Sequence, residues 1–159
     1  MNKLPRKRLV VIATAALLLT GGGIAFAYWS AGGSGTGSAG TGTTVPITAT
    51  QTSTVSNMAP GDSPQTLSGN FTNTNSGPVY VTSVVASISS VTKAVGAPSG
   101  TCDATDYTLA SATMTVNAEV ASGTGVGAWT GATIKFNDKA GTNQDACKGA
   151  TVNLAYTVN

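Results

Sequence analysis

Residues 151–158 read Thr-Val-Asn-Leu-Ala-Tyr-Thr-Val, so Val152, Leu154, Tyr156 and Val158 alternate with Asn153, Ala155 and Thr157. Side chains return to the same side every two residues in a strand, so the pattern is that of a half-buried antiparallel strand. The same period runs through Leu67, Gly69 and Phe71, and again through Met114, Val116, Ala118 and Val120. Val79 to Val91 is apolar on both faces in its first half, as a central strand would be. Ile134-Lys135-Phe136 and Val45 to Ala49 are shorter candidates. Turn chemistry separates the segments: Ala59-Pro60-Gly61-Asp62, Asn75-Ser76-Gly77-Pro78, Pro98-Ser99-Gly100, Ser122-Gly123 and Asn137-Asp138. No segment after residue 45 carries an apolar stripe of helical period. About six to eight strands are therefore expected, in an all-β chain folded as a single antiparallel β-sandwich over residues 45–159, immunoglobulin-like or jelly-roll.

The chain ahead of the sandwich has a different character. Lys3, Arg6, Lys7 and Arg8 precede an uncharged, mostly apolar run from Leu9 to Leu19. Ala25-Phe26-Ala27 then places small residues where a signal peptidase reads them, with Tyr28 first after the cut. Residues 1–27 are thus expected to be a secretory signal helix. The alternative is an uncleaved anchor. Leu9 to Trp29 is uncharged and long enough to cross a bilayer of about 30 Å, with Tyr28 and Trp29 at the outer interface. Gly21-Gly22-Gly23 interrupts the helix and favours cleavage. In either case the basic end stays inside and the sandwich is carried out, so the membrane is met only through residues 9–29. Residues 28–44, rich in Gly, Ser and Thr, are a flexible linker. Its Ser30–Thr44 part has an r.m.s. reach of roughly 20 Å.

The net charge of +2 belongs to the export segment. Beyond residue 27, four lysines stand against five aspartates and one glutamate, with no arginine. Without a basic cluster, binding to a phosphate backbone has no electrostatic basis, so nucleic acid is excluded as a partner. The two cysteines, Cys102 and Cys147, are expected to pair in an exported chain. Closing that loop would stabilise the fold by about 4 kcal/mol in the chain-entropy model.

Chemistry-bearing residues are scarce. The chain has no histidine, which removes the usual general base, the serine and cysteine dyads and most zinc sites. Neither an enzymatic activity nor a cofactor is expected. Asp103 and Asp106, beside Cys102, are the closest carboxylate pair and read as a solvated loop. A calcium site with Asp145 lacks any calcium-loop spacing. Trp129, in Gly125-Val126-Gly127-Ala128-Trp129-Thr130-Gly131, reads either as a plug at the end of the sandwich or as a ligand platform. Tyr107 is its candidate neighbour in such a platform. Asn70-Phe71-Thr72 is a formal glycosylation sequon.

The junction Gly22-Gly23-Ile24-Ala25-Phe26-Ala27-Tyr28-Trp29-Ser30 resembles the export junction of the camelysin/TasA family. Asn57-Met58-Ala59-Pro60-Gly61-Asp62, followed by Phe71-Thr72-Asn73-Thr74-Asn75-Ser76-Gly77, is similar to that family's proline-glycine turn, strand and asparagine-glycine turn. The chain departs from the family pattern in lacking an aspartate after Ser30, in its long linker and in its cysteine pair. The resemblance implies a bacterial cell-surface or biofilm-matrix protein with a sandwich fold, some of whose relatives build fibres by lending an N-terminal strand to the next subunit. The expected role is accordingly a structural or adhesive one at the cell surface or in the extracellular matrix. Its expected partner is a second copy, reached by β-strand addition from Val45 to Thr54. The alternative is a secreted or anchored module that binds a cell-wall glycan or a partner protein.

Overall fold

A computed structural model describes residue 32 and residues 34–159. Residues 34–47 form neither helix nor strand. A compact unit spans Gly42–Asn159. It contains seven strands: β1 (Thr48–Gln51), β2 (Gln65–Asn73), β3 (Val79–Thr92), β4 (Tyr107–Ala110), β5 (Thr113–Val120), β6 (Gly123–Phe136) and β7 (Thr151–Val158). Two single 3-10 turns, Ala104–Asp106 and Asp145–Cys147, precede β4 and β7. A four-stranded antiparallel sheet in the order β1-β2-β6-β4 packs on a three-stranded one in the order β5-β3-β7. After the β1–β2 hairpin every connection crosses from one sheet to the other, which is not the ABED and CFG order of an immunoglobulin constant domain.

The period-two segments form β2, β5 and β7, and Val79–Val91 lies in β3, the centre of its sheet. Leu67, Phe71, Trp129 and Ile134 from the larger sheet meet Val81, Val84, Ala86, Met114 and Val120 from the smaller one. A second cluster, Tyr107, Phe136 and Cys147, fills the end where β6 finishes and β7 begins. Met58, Ile88 and Val152 pack against both clusters and join them.

Three strands differ from the sequence-based expectation. The glycine-rich run around Trp129 is strand, although it shows no period of two. It belongs to β6, which extends over fourteen residues. The β2–β6 register shifts three times, and each shift places an extra residue on β6, at Gly131, Gly127 and Gly125. All three glycines have positive φ, as bulge positions of this kind require. Bulges break the alternation of faces, so the strand carries no period-two signature. β4 is too short to show a period. The first strand lies at Thr48–Gln51 rather than Val45–Ala49, because Pro46 has no N–H to give to a ladder.

Gly69 lets the β2 backbone lie close against its neighbours in the larger sheet. A Cβ there would lie 2.0 Å from the Thr50 carbonyl oxygen and 2.4 Å from Cζ2 of Trp129. The indole therefore lies directly over the β2 backbone, and its N–H donates to the Asn70 carbonyl at 3.0 Å. Gly69→Ala is expected to destabilise the domain by about 1–3 kcal/mol through this clash. Chemical denaturation followed by tryptophan fluorescence checks it, and an unchanged midpoint would refute the close packing.

Candidate functional site

Two regions concentrate side chains with specific roles: the disulfide-closed end, and the flank where β1 and β7 are the free edges of opposing sheets. Cys102 and Cys147 form the expected bond, with Cα atoms 5.2 Å apart. It ties the turn before β4 to the turn before β7, and so joins two long crossover connections. A bond of this kind persists in an oxidising, extracellular-type environment.

The turn before β4 is built by a capping box. Asp103 accepts from the Thr105 backbone N–H at 2.8 Å and from its hydroxyl at 2.6 Å. Asp106 reaches back to the Asp103 N–H at 3.0 Å. Asp106 is only 5% exposed, in contrast to the solvated loop expected for it. It pairs with the Lys139 ammonium at 2.7 Å and accepts from Gln144 at 3.2 Å. Burial alone would raise its pKa, but the bonds from Lys139, the Asp103 N–H and Gln144 outweigh that, and the net shift is downward. Asp103 is lowered by its two bonds from Thr105. The Asp103-x-x-Asp106 spacing is the sequence signal that marks such a box.

The arrangement offers no carboxylate set for calcium. Asp145 turns away to pair with Lys148 at 2.7 Å. The described cluster of ligand-type atoms is Cys102, Asp106 and Cys147, and its two sulfurs are spent in the disulfide. Among the described residues every buried side-chain polar atom has a hydrogen-bond partner.

Tyr107 and Trp129 do not form a joint platform. Tyr107 is 8% exposed and packs on Phe136 with ring centroids 5.1 Å apart, its hydroxyl 3.9 Å from Cys102 Sγ. Burial, with Asp106 nearby, raises its phenol pKa. Trp129 is 2% exposed and lies in the main cluster against Tyr156, at 4.6 Å. Both rings are core, because the sandwich has few other large side chains to fill it. Asn70 of the sequon lies in β2, between β1 and β6. Ala25, Ala27 and Tyr28 of the export junction lie outside the described residues, as does the alternative anchor at residues 9–29. Among the described residues no helix is long and apolar enough to cross a membrane.

The flank was not visible in the sequence. Four strands over three leave β7 without an outer neighbour. Beside it runs a groove of about 560 Å³, lined among others by Gln51, Met58, Phe136, Val152 and Leu154. The Tyr156 hydroxyl crosses from β7 to donate to Gln51 at 2.7 Å, which ties the two edges together above the groove. β1 itself is held to β2 by four register pairs, Thr48–Thr72 to Gln51–Gly69. Its hydrogen-bonded line continues irregularly as the Thr52 and Ser53 N–H groups donate to the Ser68 carbonyl. Neither a family model, nor a curated protein, nor a solved structure matches the chain.

Two outcomes are expected at the disulfide end. Reduction, or replacement of both cysteines by alanine, should cost about 4 kcal/mol in denaturant titration, since the closed loop spans 45 residues. Asp106 has a folded-state pKa below its unfolded value, so its contribution is full above the ordinary value of 3.8 and is lost as pH falls through the folded pKa. Asp106→Asn should therefore flatten the acid limb of a stability-against-pH curve, and identical acid limbs in the two proteins would show that the pair does not contribute.

Proposed function

We propose that this chain is an exported, non-enzymatic structural or adhesive protein of the cell surface or extracellular matrix, which assembles by β-strand addition. The observation that carries the reading is the design of β1. It is a four-residue edge strand whose backbone ladder is to β2 alone, and exposed Gly-, Ser- and Thr-rich chain leads into it. The segment from residue 52 to residue 64, between β1 and β2, has no regular structure and can serve as the hinge. If β1 leaves its own β2 and pairs with the β2 of a second copy, the same Thr48–Thr72 to Gln51–Gly69 register forms again. The exchange re-forms the ladder bonds of the monomer, which makes it a low-cost route from monomer to assembly. Open, head-to-tail exchange extends into a fibre, whereas reciprocal exchange closes a dimer.

Three further features support this reading. The disulfide suits an oxidising location. The basic and apolar N-terminus supplies the export signal, or an anchor if it is not cleaved. The short motifs shared with the camelysin/TasA family point to a bacterial surface or biofilm matrix. A second reading, a module for an extended wall glycan or peptide, is favoured by the groove beside β7.

A cross-link between β1 and its own β2 separates the two. In oxidised Tyr28–Asn159, filaments or higher-order species are expected by electron microscopy and size exclusion. Thr48→Cys with Thr72→Cys, a directly opposed pair, should abolish them once bridged. Assembly that survives the bridge would reject β1 as the donor. A monomer under all conditions that binds soluble wall polysaccharide would favour the module.

A further inference from the structure

The β1–β2 ladder has its last regular pair at Thr48–Thr72, yet the chain ahead of β1 remains attached for three more residues. Continuing the antiparallel register by three places sets Val45 opposite Asn75. Between them lies Pro46, which has no N–H, and beyond Asn73 the β2 backbone turns away toward β3. At this point the Asn75 side chain takes over from the main chain. The Val45 N–H donates to Asn75 Oδ1 at 2.7 Å, and Asn75 Nδ2 donates to the Val45 carbonyl at 2.8 Å. The carboxamide thus presents one acceptor and one donor to a single residue, as an opposing peptide unit does in a ladder.

The clamp is anchored rather than loose. Asn75 Nδ2 and the Asn75 backbone N–H both donate to Asn73 Oδ1, at 2.8 and 3.0 Å. Asn73 is fully buried, and its Nδ2 donates to the Val120 carbonyl at 2.9 Å and the Gly77 carbonyl at 3.1 Å. The Ser122 hydroxyl holds the Asn75 carbonyl at 2.5 Å. A continuous chain of bonds therefore runs from the end of β5, through two asparagines, to the entry of β1.

We propose that Asn75 is the latch of β1: its amide clamp on Val45 determines whether the edge strand stays on its own chain or is free to pair with a second copy. The strand behind the clamp is short, and Val45 itself is exposed, so at this end the clamp is backed only by the packing of Ile47 and Ala49 on the core. The regulatory meaning rests on the strand-addition reading. The effect on β1 does not, and it is read in the isolated monomer.

Replacing the amide tests it. In Asn75→Asp the donor is lost and a carboxylate faces two acceptors, the Val45 carbonyl and Asn73 Oδ1. Amide hydrogen exchange of the oxidised monomer should then speed up by about tenfold or more at residues 48–51, while β3 and β6 keep their protection. Ser122→Ala removes only the bond to the Asn75 carbonyl and should leave β1 protected. Unchanged protection at residues 48–51 in Asn75→Asp would overturn the latch, as would equal loosening of all strands, which marks a general fault of the β2–β3 turn. Loosening confined to β1 upholds the latch, and it does so even if the cross-linking experiment shows that β1 is not the donor.

Discussion

The contact between the Trp129 indole and the bare backbone of Gly69 is the constraint on which the other packing in the sandwich depends. The ring can lie on β2 only because position 69 has no Cβ, and the Thr50 carbonyl of β1 enters the same space. From there the indole N–H holds Asn70, and the ring stacks on Tyr156 of the opposite sheet. Tyr156 in turn reaches Gln51 at the end of β1. Burying an aromatic of this size supplies a large share of the core in a domain with few bulky residues. One side chain thereby links β6, β2 and the opposite sheet and, through Tyr156, the end of β1.

The two ends of the sandwich are secured by different means. At the end where β6 finishes, a covalent bond, a capping box and the Asp106–Lys139 pair close two long connections over the Tyr107–Phe136 cluster. At the other end no covalent link exists among the described residues, and a relay of asparagine amides holds the β2–β3 turn, the end of β5 and the entry of β1. A disulfide opens only by chemistry, whereas hydrogen bonds to a partly exposed segment open thermally. The covalent restraint thus lies away from the edge strand, as the proposed exchange of the first strand requires.

Legibility followed the regularity of each strand. β2 and β7 keep their alternation along their length, and their buried faces are those that the residue pattern marks. β6 holds the most important core residue, yet its bulges at Gly125, Gly127 and Gly131 shift the faces and make the run resemble a loop. Asp106 resembled a solvated acid because its partners, Lys139 and Gln144, are far along the chain. The groove beside β7 and the Asn75 clamp depend on which strands are neighbours, and strand order has no local signature.

By itself, the sequence determined the all-β class, the single domain after a Gly-, Ser- and Thr-rich lead, the pairing of its only two cysteines and the lack of any histidine-based chemistry. Each of these follows from composition or from a period shorter than one strand. Only the tertiary structure decided that every connection after β1 crosses between sheets, that Trp129 and Tyr107 are core rather than surface, and that β1 and β7 are left as edges. Those features arise from contacts between residues tens of positions apart. Such contacts are selected by the shape and volume of the assembled core, which local backbone preference does not encode.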